Sequence, residues 1–564
     1  MAVSLTPPAV ARVGQARVTA GLDRYARLDL DAHRSVFGPP PERVTASQLI
    51  AMCEQVDLRG RGGAAFPAAK KIRAVLTSAA GRRRPVVVVN GTEGEPGSYK
   101  DKTLLVRSPH LVLDGAVLAA HALRANEIVV AVTTDGPQAQ SVTDAIASDP
   151  SIRVRARVVI VPDRFVSGEG GALINAVNGK PALPPGVKTR ASDSGVRGQP
   201  TLLSNAETFA QLAVLGMLGP AGYASTGQES EPGTVLLTVS GSVEHPAVVE
   251  TPTGVPLGHI LDVCGSPPPR GILIGGYHGM WISPDIAADL PVSRSGMAKG
   301  GGTLGAGIVL VLGPDTCPLG EAARVAGYMA MQSSGQCGPC KAGLPTVARS
   351  LTAIAVGAGG PDDLDTVRRT AAGVRGRGAC HHPDGTANFV ASALDVFADD
   401  LAEHMFRGGC GRPTVGVLPL PDAEAETRLK VDWTRCQGHG LCARLAPELI
   451  KLDADGFPEF LDVTVPFWLT KDAGQAVDMC PALALKLIKP APRPAQSLLA
   501  ISGPPASAGP ASQPRRARPS GGRDRPGYRE PPTLTGRAIE QAELEAAFDW
   551  LDELGGGGRH TRGR

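Results

Sequence analysis

Short apolar runs alternate with amphipathic stretches over the first two hundred residues. Runs at 85–89, 127–132 and 154–161 have strand length, while 3.6-residue periodicity predicts helices at 110–123 and 138–147 between them. Two shorter helices are predicted earlier, at 45–53 and from the end of a Gly-rich loop through 76. Strand alternating with helix implies an α/β domain on a parallel sheet, assigned to residues 20–230 and closed by a helix at 206–218. Residues 164–205 hold Gly, Pro and polar residues with little periodicity, which predicts functional loops. Strands at 234–243 and 271–274 around a helix at 257–263 predict a small β-rich insert over 231–305. Helical patterns at 319–356 and 362–374 place an all-helical unit over 306–405, and a compact α+β segment follows at 428–490.

Beyond that segment the pattern stops. Residues 491–537 carry eight Arg and two acids amid Pro, Ser, Gly and Ala, a composition that cannot bury enough surface to fold. Residues 538–555 hold six acids and one apolar face (Leu544, Ala547, Phe548, Leu551), predicting a short acidic amphipathic helix. Over the whole 564 residues, 57 basic against 54 acidic side chains leave +3, so nothing points to nucleic acid. No apolar run approaches the roughly 18 residues of a transmembrane helix, and residues 1–30 interleave Arg and Asp where a signal peptide has an apolar core. A cytoplasmic protein is expected, in which ten cysteines are not a disulfide framework.

Their spacing then carries the chemistry. Cys337-Gly338-Pro339-Cys340 is a C-x-x-C pair with Cys380 beyond it, able to serve zinc, an iron-sulfur cluster or a redox dithiol. Cys436, Cys442 and a Cys480-Pro481 pair keep the outer spacing of a ferredoxin pattern. His439 occupies its middle position, either as a ligand or as a bystander to a three-iron cluster, and a zinc ribbon is the alternative. Cys53, Cys264 and Cys317 stand alone and read as buried apolar side chains. Upstream, Gly60-Arg61-Gly62-Gly63-Ala64-Ala65-Phe66-Pro67 opens a helix with uncrowded backbone N–H groups, suited to phosphate, and Lys71 adds a cation one turn on. Asn90 through Asp101 leaves the carboxyl end of a predicted strand, and Gly168-Glu169-Gly170-Gly171 is a third loop of that kind.

These motifs, in this order, resemble the flavin-bearing 51 kDa subunit family of NADH-quinone oxidoreductase and related soluble diaphorases, over about residues 20–405. Its markers are the Gly60–Pro67 loop, Asn90 with Glu93-Gly94-Glu95-Pro96-Gly97-Ser98-Tyr99-Lys100-Asp101, Gly168-Glu169, Ser204-Asn205-Ala206-Glu207-Thr208, and Ser333 through Cys340 with Cys380. The resemblance implies FMN held by Gly62, Gly63, Lys71, Asn90, Glu93 and Asn205. Phe66, Glu95 and Glu169 would face NADH or NADPH, with the two glutamates at the reacting end. It further implies a β-grasp-like insert and a [4Fe-4S] cluster on Cys337, Cys340 and Cys380, where Ser334 replaces a family cysteine. Ser334 as ligand, His381 or His382 in its place, a three-cysteine site and a vestigial site are the options.

Three further departures touch the nucleotide: Thr92 replaces an acid, Gly170 a glutamate, and Arg190 stands near where an aromatic is usual. Residues 429–489 resemble single-cluster ferredoxins of actinobacterial type, implying a [3Fe-4S] or [4Fe-4S] cluster on Cys436, His439, Cys442 and Cys480. The expected path is nucleotide, FMN, helical-domain cluster, ferredoxin, and then a partner such as a cytochrome P450 or another oxidoreductase. A small thioredoxin-like iron-sulfur subunit is a second possible partner. The alternatives are a ferredoxin-linked flavoprotein that uses no nicotinamide, and a non-catalytic subunit or scaffold.

Overall fold

The parallel sheet of the first domain has four strands, in the spatial order Arg155–Ile160, Glu127–Val132, Val86–Gly91, Thr201–Asn205. The computed structural model describes residues 9–488, apart from 81–83, 134–135, 151, 153, 188, 422–426, 448, 461 and 466–468. The expected basic linker and acidic helix lie outside the described residues. Val86–Val89 and Ile128–Ala131 are fully buried, as continuous apolar runs must be when helices cover both faces. On one face, helices Pro109–Leu123 and Ala206–Ala224 approach so closely that a Cβ on Gly115 would meet the Phe209 carbonyl at 1.8 Å. The loop region 164–205 is more ordered than its composition predicts, holding helix Gly170–Val177 and strand Thr201–Asn205.

The insert is larger than expected. Its mixed six-stranded sheet runs Ala9–Arg12, Ala247–Pro252, Thr234–Gly241, Ile308–Leu312, Gly271–Ile274, Met280–Ile282. Two of these strands fall outside 231–305, one of them near the chain start. Period-two alternation divides the fourth strand between two cores. Ile308, Leu310 and Leu312 pack with the helical domain, while Val309 and Val311 pack with helix Leu257–Val263. Insert and helical domain therefore share a hydrophobic core, and a cut at 305/306 passes through it.

The helical stretch expected over 319–356 is two helices, Pro318–Met331 and Leu344–Ala355, separated by the cysteine loop and a wide turn at Pro339–Gly343. Helices Pro361–Val374, His382–Val396 and Ala398–Arg407 complete the domain. The last domain has three antiparallel strands, with Arg428–Val431 between Asp462–Thr464 and Leu485–Ile488, plus helices Leu441–Leu445 and Thr470–Asp478. No single described helix is long and apolar enough to cross a membrane. The pair Lys100–Arg107 and Pro109–Leu123 has the length and composition but bends by 93° and forms part of the buried core.

Candidate functional site

Successive strands of the parallel sheet add on one side from Val86–Gly91 to Arg155–Ile160, and Thr201–Asn205 then adds on the other. The order reverses between Val86–Gly91 and Thr201–Asn205, and the crevice beyond the carboxyl ends at such a point is where open α/β sheets bind ligands. Asn90 and Asn205 are register partners at those two carboxyl ends. The Gly-rich loop lies against them, since a Cβ on Gly62 would meet the Asn205 Cβ at 3.1 Å, whereas Gly63 (φ 111°) has open space. Ala65 also adopts a positive φ of 48°, so the loop is held in a shape that ordinary side chains resist.

Hydrogen bonds sort the expected residues into two kinds. Lys71, in the first turn of helix Ala68–Ser78, donates to the Leu203 carbonyl at 2.9 Å, and burial lowers its pKa. An ammonium has three donors, so Lys71 retains capacity for an anion. Asn90 donates to the Gly168 carbonyl at 3.1 Å and accepts from Thr92 N and Thr92 Oγ1; Thr92, where the family has an acid, is thus folded back onto Asn90. Glu93 faces inward, accepting from Ser98 Oγ and from the Asp101 and Lys102 N–H groups at the start of helix Lys100–Arg107. Its pKa is raised, first by burial and then by Asp101. Asn205 caps helix Ala206–Ala224, accepts from Lys100 Nζ and donates to Asp101. Glu93 and Asn205 are therefore engaged with protein, and they fix the loops that carry the others.

Glu95 crosses to the insert. Its Oε1 accepts from Tyr277 N at 2.5 Å, and Gly276 (φ 78°) leaves room for the carboxyl where a Cβ would collide at 2.0 Å. Burial is the main cause that pushes its pKa up to about 8, with Glu93 adding to the rise and the Tyr277 N–H opposing it. Glu169 caps helix Gly170–Val177 through Ala172 N, and its charge raises the Cys380 pKa, after burial, the larger cause. Gly170 follows inside that helix, and Arg190 is exposed. Phe66 is 43% exposed, open to a planar ligand. A cavity of about 290 Å³ meets the Gly-rich loop from the insert side, lined by Arg61, Gly63, Glu207, Arg294 and Gly305 among others. Asn90, Lys71 and Glu95 do not line it.

Between the strand ends and the cysteines stands a group that the sequence does not signal. Phe165 N donates to Gln332 Oε1 at 3.3 Å, and its ring packs edge-on against His278, His382 and Tyr328. His382 Nε2 donates to the Met329 carbonyl at 2.8 Å, so its Nδ1 accepts from His278 Nε2 at 3.1 Å. Burial lowers both pKa values, that of His382 to about 4. Both His382 nitrogens are thus engaged with protein, while His381 is exposed beside Asp384. Only the adjacent pair His381-His382 was noticeable in the sequence; His278 comes from the insert and had no local pattern.

Cys337, Cys340 and Cys380 come together. Burial raises the Cys340 thiol to about 12, and the charges of Cys337 and Cys380 add to the rise. Ser334 is buried in the same loop, and the buried Ser333 hydroxyl donates toward Cys340, which opposes the rise of that thiol. Three thiols gathered beside a buried serine fit a metal cluster that takes thiolate ligands. In the last domain, Cys436, His439, Cys442 and Cys480 line one cavity with Gly438 and Gly440 (φ 68° and 67°). Cys442 is raised chiefly by burial, with Cys436 and Cys480 contributing, while the His439 side chain is exposed.

Residues 53–214 match the model of the Nuo51 FMN-binding domain, 320–404 that of the NADH-ubiquinone oxidoreductase-F iron-sulfur binding region, and 429–487 that of the 4Fe-4S single cluster domain. The chain is similar to a subunit of the NADH-quinone oxidoreductase of Streptomyces coelicolor, 29% identical over 411 residues, covering 69% of this chain and 89% of that protein. A subunit of the NADP-reducing hydrogenase of Solidesulfovibrio fructosivorans is 24% identical, over 72% of this chain and 84% of its own length. Among solved structures, an NAD+-reducing [NiFe]-hydrogenase in the air-oxidized state matches with a TM-score of 0.62 and 25% identity, over 71% of this chain and 68% of that one.

Proposed function

The chain carries the FMN-binding domain and iron-sulfur region of the flavin-bearing 51 kDa subunit family with a single-cluster ferredoxin domain fused behind them, and we propose that it moves electrons from NADH or NADPH to that ferredoxin domain. The observation that carries the reading is the register pairing of Asn90 with Asn205 at the reversal point, under the Gly62–Gly63 loop.

Gly62 and Gly63 would offer backbone N–H groups to the flavin's phosphate and Lys71 the opposing charge, while Asn90, already bonded to Gly168 and Thr92, would lie against the ring system with the capacity it has left. Glu93 and Asn205 hold these loops in place. FMN supplies the one chemical step the protein cannot, accepting two electrons as hydride and releasing them singly. Glu95 keeps its proton on Oε2 at neutral pH, because Oε1 accepts from Tyr277 N, and can donate a hydrogen bond to a nicotinamide. Phe66 flanks the nucleotide, and Glu169, which would face the nucleotide, has its charge close enough to Cys380 to raise that thiol. Cys337, Cys340 and Cys380 with Ser334 would hold the first cluster, and Cys436, Cys442 and Cys480, with or without His439, the second. The acceptor beyond is another oxidoreductase, a cytochrome P450 being one candidate. A thioredoxin-like iron-sulfur subunit would add a side branch, since the relatives are named as subunits of larger enzymes.

The test is anaerobic addition of NADH, then NADPH, to the purified protein, following flavin bleaching and cluster EPR signals. Bleaching followed by reduced-cluster signals is expected. Bleaching by dithionite alone would sink this reading in favour of a second one, motivated by Thr92 and Gly170, in which a protein donor replaces the nicotinamide.

A further inference from the structure

Three side chains outside the flavin and cluster sites converge where the helical domain ends. Cys317 is the N-cap of helix Pro318–Met331, its Sγ accepting from Gly320 N at 3.2 Å. His404 comes from helix Ala398–Arg407, which stops at Gly408 in the left-handed conformation, and the returning chain brings in Cys410. Cys317 Sγ lies 3.2 Å from His404 Nε2, and with Cys410 Sγ all three ligand atoms are within 4.8 Å of one another. Among the described residues, no other three His, Cys, Asp or Glu side chains bring their ligand atoms so close.

The imidazole is set for a metal. His404 Nδ1 lies 3.2 Å from the Ile354 carbonyl, which fixes the proton on Nδ1 and turns the Nε2 lone pair toward the two sulfurs. A backbone carbonyl behind the distal nitrogen is the usual outer partner of a metal-bound histidine.

We propose that Cys317, His404 and Cys410 bind one zinc ion. Two thiolates and an imidazole are a zinc donor set, and bond lengths of about 2.3 Å to sulfur and 2.0 Å to nitrogen put tetrahedral ligand atoms roughly 3.5 to 3.8 Å apart. The Cys317–His404 separation of 3.2 Å lies just short of that range, and all three pairs fall within 4.8 Å. Asp400, one turn before His404, is held by Arg270 and Arg412 and does not serve as fourth ligand; the half-buried Cys410 side leaves that position to solvent. Three protein ligands leave one position open, unlike the closed set of most structural zinc sites, so the part assigned to the ion here is the tie between the elements it joins. The ion would fasten the loop after helix Ala398–Arg407 to the start of Pro318–Met331. From there the chain runs past Glu321, which accepts from Gly416 N and Leu418 N, to Pro419, whose carbonyl accepts from Tyr277 Oη behind Glu95.

The experiment is metal analysis of the full-length protein purified after incubation with equimolar zinc and then EDTA, with zinc K-edge absorption on the same sample. About one zinc per chain in a two-sulfur, one-nitrogen shell is expected. Cys410→Ser and His404→Gln should each lower retained zinc about tenfold or more while iron and FMN content stay unchanged. Zinc that EDTA removes fully from the wild type, zinc retained equally by both variants, or a Cys317–Cys410 disulfide in mass spectra of unreduced peptides would each overturn the proposal. The absorption measurement needs only the wild type, so a variant that fails to fold does not block the test.

Discussion

At residue scale, Glu95 is the buried carboxyl to which the proposed function gives a role at the nicotinamide. A carboxyl raised from an ordinary 4.5 to about 8 binds its proton more tightly folded than unfolded. Its contribution to stability is therefore greatest below the unfolded value, falls as pH rises toward 8, and levels off beyond. Glu95→Gln, which keeps an acceptor for Tyr277 N, should flatten the thermal-stability profile between about pH 5 and 9. It should also remove a break near 8 from the pH profile of kcat/KM for NADH, and an unchanged profile would assign that break elsewhere. Lys71 makes a simpler case: with one carbonyl partner and spare donors, it should contribute to FMN affinity through a charge-assisted bond. Lys71→Met should weaken FMN binding by about 10- to 100-fold, measured by flavin release on dilution.

At the scale of elements, buried carboxylates hold the pieces together. Glu250, in the insert strand Ala247–Pro252, accepts from the N–H groups of Arg17, Val18 and Thr19 and from the hydroxyls of Thr19 and Thr234. It thereby ties the segment after strand Ala9–Arg12 to the sheet. Glu250→Ala leaves several buried donors without an acceptor and should cost about 3 kcal/mol or more. The loss is local, so limited trypsin digestion should cut first at Arg17 or Arg24; cleavage elsewhere at the wild-type rate would refute it. Glu93 does comparable work for helix Lys100–Arg107 and Glu169 for helix Gly170–Val177. Motif residues thus include supports of the local fold.

At the scale of the whole molecule, the electron path proposed above can be cut at one place. Cys480 comes from the end of the last domain and closes the cavity shared with Cys436 and Cys442. Cys480→Ala in the full chain should leave flavin bleaching by NADH intact and abolish reduction of the ferredoxin cluster and of an added acceptor protein. If the acceptor is still reduced at the wild-type rate, electrons leave from the flavin or the first cluster and the fused domain is not in the path.

Much of the element order was legible because its causes are local: the apolar runs at 85–89 and 127–132 give buried strands, and the C-x-x-C spacing marks the cysteine loop whatever surrounds it. Helix Gly170–Val177 was not, because two leading glycines and a nearby proline mask a periodicity stabilised by packing on Leu203 and Pro185. The strands at 9–12 and 308–312 escaped the insert boundaries because sheet membership depends on partners far away in the chain. The motif spacings identified which residue types could hold flavin, nucleotide and iron. Only the tertiary structure decided which of them turn inward, as Glu93 and Asn205 do, and which unmarked residues meet: His278 with His382, and Cys317 with His404 and Cys410. Spacing along the chain fixes local chemistry, but convergence of distant side chains is set by how sheets and helices share a core.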